Sequence, residues 1–371
     1  MASSDLEWGA QISKYARELD LACLKVNEHL PPLGPDPTDR FEQTLPTTLL
    51  IREVYVKIYE YVKKTFLKGD FDAGRGLVVL GQPGIGKTAF LYYALVRALR
   101  DRIPVIWCRA EERSAWLQFD IEGKVTPYEA SRRVRRLSFF DQCPPSSTSF
   151  DDPGYIVQAT SPQRARYKDW AKQSVARYWV MENWSTEEVE QEAKHRKIDT
   201  SNESKTEWKN AYTPQEAFKV IGPSARHCFT STPKVMQDAV ADFGLEVIIG
   251  GLLGSEKNFE LIVRLLTGCQ LTDDVYPSGF HQIFFVKHVK SDNLPTRRDH
   301  LLYEITTPAH RKIVREKILE THMEMEVTTA RLFTSCPSVA GYSYEAFAQR
   351  AFSHGTEPIT IYCNSVPQLV T

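Results

Sequence analysis

Eight consecutive residues, Gly81-Gln82-Pro83-Gly84-Ile85-Gly86-Lys87-Thr88, fit the pattern GxxxxGK[ST] and constrain this chain more than any other feature. The short apolar run Leu77-Val78-Val79-Leu80 precedes them. Behind them Phe90, Leu91, Ala94, Leu95, Ala98 and Leu99 recur at helical spacing over Lys87–Arg100. Ile103–Cys108 is a second apolar run, so strand, helix and strand follow within about 35 residues, which predicts a βαβ unit and a parallel sheet. A turn between a strand and a helix N-terminus gathers backbone N–H groups into one concavity, and the helix dipole adds positive potential there. Gly81, Gly84 and Gly86 permit the positive φ and close approach that phosphate oxygens require. In that setting Lys87 is expected to reach β- and γ-phosphates, and the Thr88 hydroxyl to ligate Mg²⁺.

A metal-bound nucleotide also calls for an acidic residue at the end of a neighbouring apolar strand. Asp141 closes Leu137-Ser138-Phe139-Phe140, 54 residues after Lys87. Asp120, after Trp116-Leu117-Gln118-Phe119, ranks second, because it follows Ile103–Cys108 too closely for an intervening helix. The plain alternative for either is a turn-forming aspartate. Many phosphate-loop ATPases place a glutamate directly after such an aspartate, yet here Gln142 stands there. Glu111 and Glu112, at the C-terminal edge of the second strand, are substitute bases, with surface carboxylates as the alternative. Binding is thus better supported than turnover.

The rest of the chain sets limits. Its 371 residues suggest two or three domains at about 100–200 residues each. With 46 basic and 47 acidic side chains it is not a wholesale polyanion binder. Seven scattered cysteines, never spaced CxxC, argue against a disulfide framework or a zinc ribbon. The opening MASSDLEWGAQISKYARELD is charged where an export signal needs an apolar run, and the longest apolar stretch is too short to span a bilayer. An intracellular location, cytoplasmic or nuclear, without a membrane partner is therefore expected. Histidine spacing indicates no metal other than Mg²⁺, and no GxSxG or Cys/His signature marks a covalent hydrolase.

Helical spacing covers 8–30 and 49–67, separated by the proline-rich stretch 31–37. Tyr155–Ala159 is a further strand. After Ser161 the pattern turns mostly helical, with Glu187–Lys209 read as a solvated helix face and loop. Helices are expected over 214–220, 233–268, 310–326 and 341–353, and a β-rich segment over 282–289. Arg132, Arg133, Arg135 and Arg136 form a basic cluster, read as a solvated helix face or as an arginine source for a neighbouring subunit or nucleic acid.

The order of VVLGQPGIGKTAFLYYAL, IVQATSP with an Arg/Lys-rich helix, Trp184-Ser185-Thr186-Glu187-Glu188 and IGPSARHCF resembles the ATPase module of Crinkler-like proteins, relatives of the retrotransposon hot spot proteins. That module is similar to the AAA+/STAND branch of P-loop NTPases. The resemblance covers roughly residues 70–355. It implies ATP as ligand, a γ-phosphate sensor at Thr160 or Ser161, and a lid arginine at Arg226 that approaches the phosphates. For Ser161 a helix N-cap before Pro162 is an equally natural role. For Arg226 the alternative is a surface arginine. Glu345 resembles the first residue of a restriction-endonuclease-like catalytic set, but only 26 residues follow and carry no D…ExK strand, so a helix-surface residue or a remnant is expected.

The expected architecture is α/β: a helical lead-in over 1–70, a three-layer P-loop sandwich over 71–180, a helical lid over 181–270 and a smaller α/β portion over 271–371. The leading expectation is an ATP-binding, ATP-hydrolysing module. The alternatives are a nucleotide-gated interaction protein with little turnover, acting on a protein partner or a second copy of itself, and an effector acting on nucleic acid. Lys287, Lys290, Arg297 and Arg298 motivate the last. No guanine-reading NKxD is present, so adenine is the default base.

Overall fold

A computed structural model of the chain describes residues 3–19, 25–30, 48–69, 75–82, 84–108, 116–129, 134–141, 154–161 and 166–196, single positions from 214 to 229, and the backbone of four later strands. The chain divides into two compact units, residues 1–242 with 272–307, and 243–271 with 308–371.

The first unit opens with α1 (Ser3–Glu18), β1 (His29–Leu30), β2 (Leu49–Leu50) and α2 (Glu53–Lys68). Then come β3 (Gly76–Leu80), α3 (Lys87–Arg100), β4 (Val105–Cys108), β5 (Trp116–Phe119), β6 (Val125–Pro127), β7 (Leu137–Phe140), β8 (Tyr155–Thr160), α4 (Lys168–Gln173), β9 (Arg177–Val180) and α5 (Thr186–His195). β10 (Phe284–His288) and β11 (Leu301–Ile305) close it as an antiparallel pair. In the second unit, β12 (Ile359–Cys363) and β13 (Val366–Val370) form an antiparallel hairpin.

Seven strands make one sheet in the order β6-β5-β4-β7-β8-β3-β9. The five from β4 to β9 run parallel, and β5 and β6 extend one side as an antiparallel meander. Every residue of β3 is buried, the continuous apolar run expected of a strand covered on both faces. Its side chains alternate between two cores. Leu77 and Val79 pack with α1, α2 and α3, whereas Val78 and Leu80 pack with Tyr167, Trp170 and Ala171 beside α4. Fully burying each such side chain contributes about 1.5–3 kcal/mol. At Gly76 an added Cβ would press on Trp170 and the Ile156 carbonyl, so only glycine lets α4 lie this close to the strand.

α1 lies against α3 and the β5–β6 meander. Trp8 meets Tyr92 and Trp107, Ser13 Oγ donates to the Gly123 carbonyl, and Arg100 donates to the Ala16 and Arg17 carbonyls. α2 stops at Gly69, whose φ of 71° is the left-handed C-cap glycine tolerates best.

Several expectations need correction. The helical pattern read over 8–30 ends at Glu18, and His29–Leu30 is extended because it pairs with Leu49–Leu50. β9 falls where a mostly helical pattern was expected. Its four residues supply the missing partner along one edge of β3. The stretch from Glu187 is not wholly solvated: α5 buries Val189, Glu192 and Ala193. Of the arginine cluster, Arg136 is buried and Arg135 lies over the Phe66 ring at 4.6 Å, neither on a helix, while Arg132 and Arg133 lie outside the described residues. The helices expected over 233–268, 310–326 and 341–353, with Glu345, lie outside them too.

Candidate functional site

Parallel strands place their C-terminal ends along one edge, where loops converge. Register aligns Leu80 of β3 with Thr160 of β8, and Phe140 of β7 with Gln158 of β8. Gly81, Ser161 and Asp141 therefore emerge side by side, with β8 between the other two strands.

The glycine loop runs from β3 straight into α3. Gly84 and Gly86 sit at φ 78° and 103°, in the region that costs other residues steric strain. Gly86 is the N-cap of α3 and has no side chain to cap it, so the first helical N–H groups stay available to an anion. Lys87 arches over the loop, with Nζ donating to the Gly81 and Gln82 carbonyls at 2.8 Å each. Gln82 is buried, and Ile85 anchors the turn in the core. Pro83 lies outside the described residues.

Thr88 Oγ1 donates to the Asp141 carboxylate, 2.9 Å from both of its oxygens. Hydroxyl and carboxylate together are a hard oxygen donor pair, suited to Mg²⁺, which is held by one or two protein oxygens plus substrate phosphates. Among the described residues no group of three His, Cys, Asp or Glu side chains could hold a metal by itself. Asp120 lies at the opposite edge. Phe119 pairs with Val105 at the start of β4, and the Asp120 carboxylate accepts from the Glu122 and Lys124 amides as a turn former.

Ser161 follows Thr160, which is buried. Its hydroxyl is also buried and finds no hydrogen-bond partner among the described residues, at a point between the loop and Asp141. Buried polar atoms are almost always satisfied, so an orphan hydroxyl here fits a phosphate or its metal-bound water. The helix N-cap role at Ser161 concerns a helix start outside the described residues, as do Gln142, Glu111, Glu112 and Arg226.

The sequence reading missed the group that braces the loop from outside. Arg52, just before α2, is 1% exposed and forks onto Glu188, with Nε and Nη2 at 2.9 and 3.0 Å from the carboxylate oxygens. It also donates to the Ile85, Glu182 and Asn183 carbonyls. Its guanidinium lies 5.0 Å from the Trp184 ring and 5.7 Å from that of Tyr55. Trp184 Nε1 donates to the Ile85 carbonyl, and the Tyr55 hydroxyl to that of Gly86. Only the Ser185–Glu188 end was readable in advance: Ser-x-x-Glu is a capping box, and both its hydrogen bonds form.

No protein-family model and no curated protein matches the chain. A solved structure titled "Structure of Drosophila ORC bound to DNA" aligns at 12% identity and a TM-score of 0.33, covering 82% of this chain and 90% of that one. The described elements are mixed α/β around a mostly parallel sheet, with a glycine loop between an inner strand and a helix, an arrangement compatible with a P-loop-like fold. Among the described residues no helix is long and apolar enough to cross a membrane.

Proposed function

We propose that residues 81–88 bind the phosphates of ATP, with Lys87 on the β- and γ-phosphates and Mg²⁺ held by Thr88 and Asp141. The observation that carries this reading is the Thr88–Asp141 pair beside a glycine loop whose helix start has no side-chain cap. Bound Mg²⁺ would neutralise phosphate charge. Ser161, whose hydroxyl is orphaned at the same edge, would read the terminal phosphate. Arg226 would approach that phosphate from the helical lid that the resemblance implies, so that hydrolysis drives lid motion. The order of motifs, similar to that of Crinkler-like ATPase modules of the AAA+/STAND branch, supports this assignment.

The test is calorimetric titration with MgATP and MgADP. Lys87→Ala should lose about 10- to 100-fold in affinity for both nucleotides, as expected for removal of charge-assisted hydrogen bonds. It should stay folded, because the lysine is only half-buried. Unchanged binding would remove the reading. A nucleotide-gated protein with little turnover is the second reading, favoured by Gln142 after Asp141. Single-turnover hydrolysis by the same preparation separates the two.

A further inference from the structure

Two successive peptide groups of the glycine loop are held from outside the loop. The Ile85 carbonyl accepts from Arg52 Nη1 at 3.2 Å and from Trp184 Nε1 at 2.9 Å. The Gly86 carbonyl accepts from the Tyr55 hydroxyl at 3.0 Å and from the Phe90 amide at 2.9 Å. In a trans peptide the C=O and N–H point in opposite directions. Holding the Ile85 carbonyl against guanidinium and indole therefore turns the Gly86 N–H away from them. Holding the Gly86 carbonyl against Tyr55 and Phe90 does the same for the Lys87 N–H. These are the amides of the N-cap and of the first residue of α3, at the helix start that offers donors to an anion.

For the Gly86 carbonyl the Phe90 bond is the first i→i+4 bond of α3, and Tyr55 adds to it; for the Ile85 carbonyl nothing within the loop does this work. Gly86 has no side chain and α3 has no side-chain cap. A Cβ at Gly86 would collide with the Tyr55 hydroxyl, so the space that glycine leaves is the space the phenol occupies. Burial pushes the Tyr55 phenol up to about 12 from an ordinary 10, so it stays a protonated donor well past neutral pH.

We infer that Arg52, Tyr55 and Trp184 are positioning residues that set the Gly86 and Lys87 amides in advance for the phosphates of a nucleoside di- or triphosphate. This rests on the nucleotide-binding reading above. Donors fixed before binding spare the ligand the cost of ordering them. Trp184 lies directly before the capping box of α5, so the start of that helix shares the same brace.

The experiment uses the full chain as wild type, Tyr55→Phe and Trp184→Phe, each of which removes one donor and keeps the ring or its bulk. Titration with MgADP and MgATP should show each variant weakened about 3- to 10-fold, equally for both nucleotides, the worth of one neutral hydrogen bond. Backbone amide NMR supplies a signature that general loosening would not give. Tyr55→Phe should move the Lys87 amide signal and reduce its response to saturating MgADP. Trp184→Phe should do so at Gly86. Wild-type affinity in both variants, or identical changes at both amides in each, overturns the inference. Failure of the wild type itself to bind either nucleotide instead overturns the nucleotide-binding reading on which it rests.

Discussion

Thr88 Oγ1 stands 2.9 Å from both carboxylate oxygens of Asp141, although 53 residues separate them in the chain. The two belong to a helix after β3 and to the end of β7, with β8 between those strands. Parallel register brings both to one edge of the sheet, and an oxygen pair forms that no local segment could build.

That pair makes the metal dependence specific. Asp141→Ala should weaken Mg·ATP binding by about tenfold or more while changing metal-free ATP binding little, because a hard cation loses a charged oxygen ligand. Asp120→Ala should leave both unchanged, since its carboxylate only caps a turn at the far edge. Titrations with and without EDTA measure this, and the reverse ranking would put the metal elsewhere.

Arg226 distinguishes ATP from ADP on the proposed reading. One charge-assisted contact to the terminal phosphate contributes about 1.5–3 kcal/mol. Arg226→Ala should then cost ATP roughly one to two orders of magnitude and ADP much less. Equal losses for the two nucleotides would return this arginine to the surface.

Glu188→Ala tests the brace as a source of stability. It leaves the Arg52 guanidinium, 1% exposed, without its carboxylate. Removing one partner of a buried pair costs about 3–5 kcal/mol, and the carbonyls that Arg52 retains bring the expectation to about 2–3 kcal/mol. Arg52→Met combined with Glu188→Leu should cost more than Glu188→Ala alone, because it also takes the donor from the Glu182 and Asn183 carbonyls. Urea denaturation of the wild type and the two variants gives the comparison, and a smaller cost for the double variant would contradict it.

His195 should titrate below its ordinary 6.5. Burial lowers it first, and His29, stacked on it at 3.5 Å, lowers it further. The unfolded chain then takes up this proton before the folded one does. The contribution of His195 to stability is complete above pH 6.5 and is lost as pH falls toward the lower folded value. An NMR titration should show the His195 midpoint rising in His29→Gln but staying below 6.5, because burial is the larger cause. An unmoved midpoint would show that the stacked ring has no such effect.

What the sequence determined is local. The conformation of strand, glycine loop and helix depends on residues within some 25 positions of each other, through buried apolar runs, glycine φ freedom and 3.6-residue spacing. Asp141 was legible as the polar end of an apolar run and, with Thr88, as one of two expected oxygen ligands, though not the strand register that sets them 2.9 Å apart. Only the tertiary structure decided the rest. Arg177-Tyr178-Trp179-Val180 has too few residues to show a strand period, and it becomes a strand because β3 offers it an open edge. Arg136 sits in a run of arginines that sequence alone reads as solvated, yet it is buried at the start of β7. Arg52 and Glu188 lie 136 residues apart, and neither position carries a local sign of the other. Short-range geometry is written in neighbouring residues. Which distant side chains hold the loop is set by how helices and strands pack, and no periodicity encodes that.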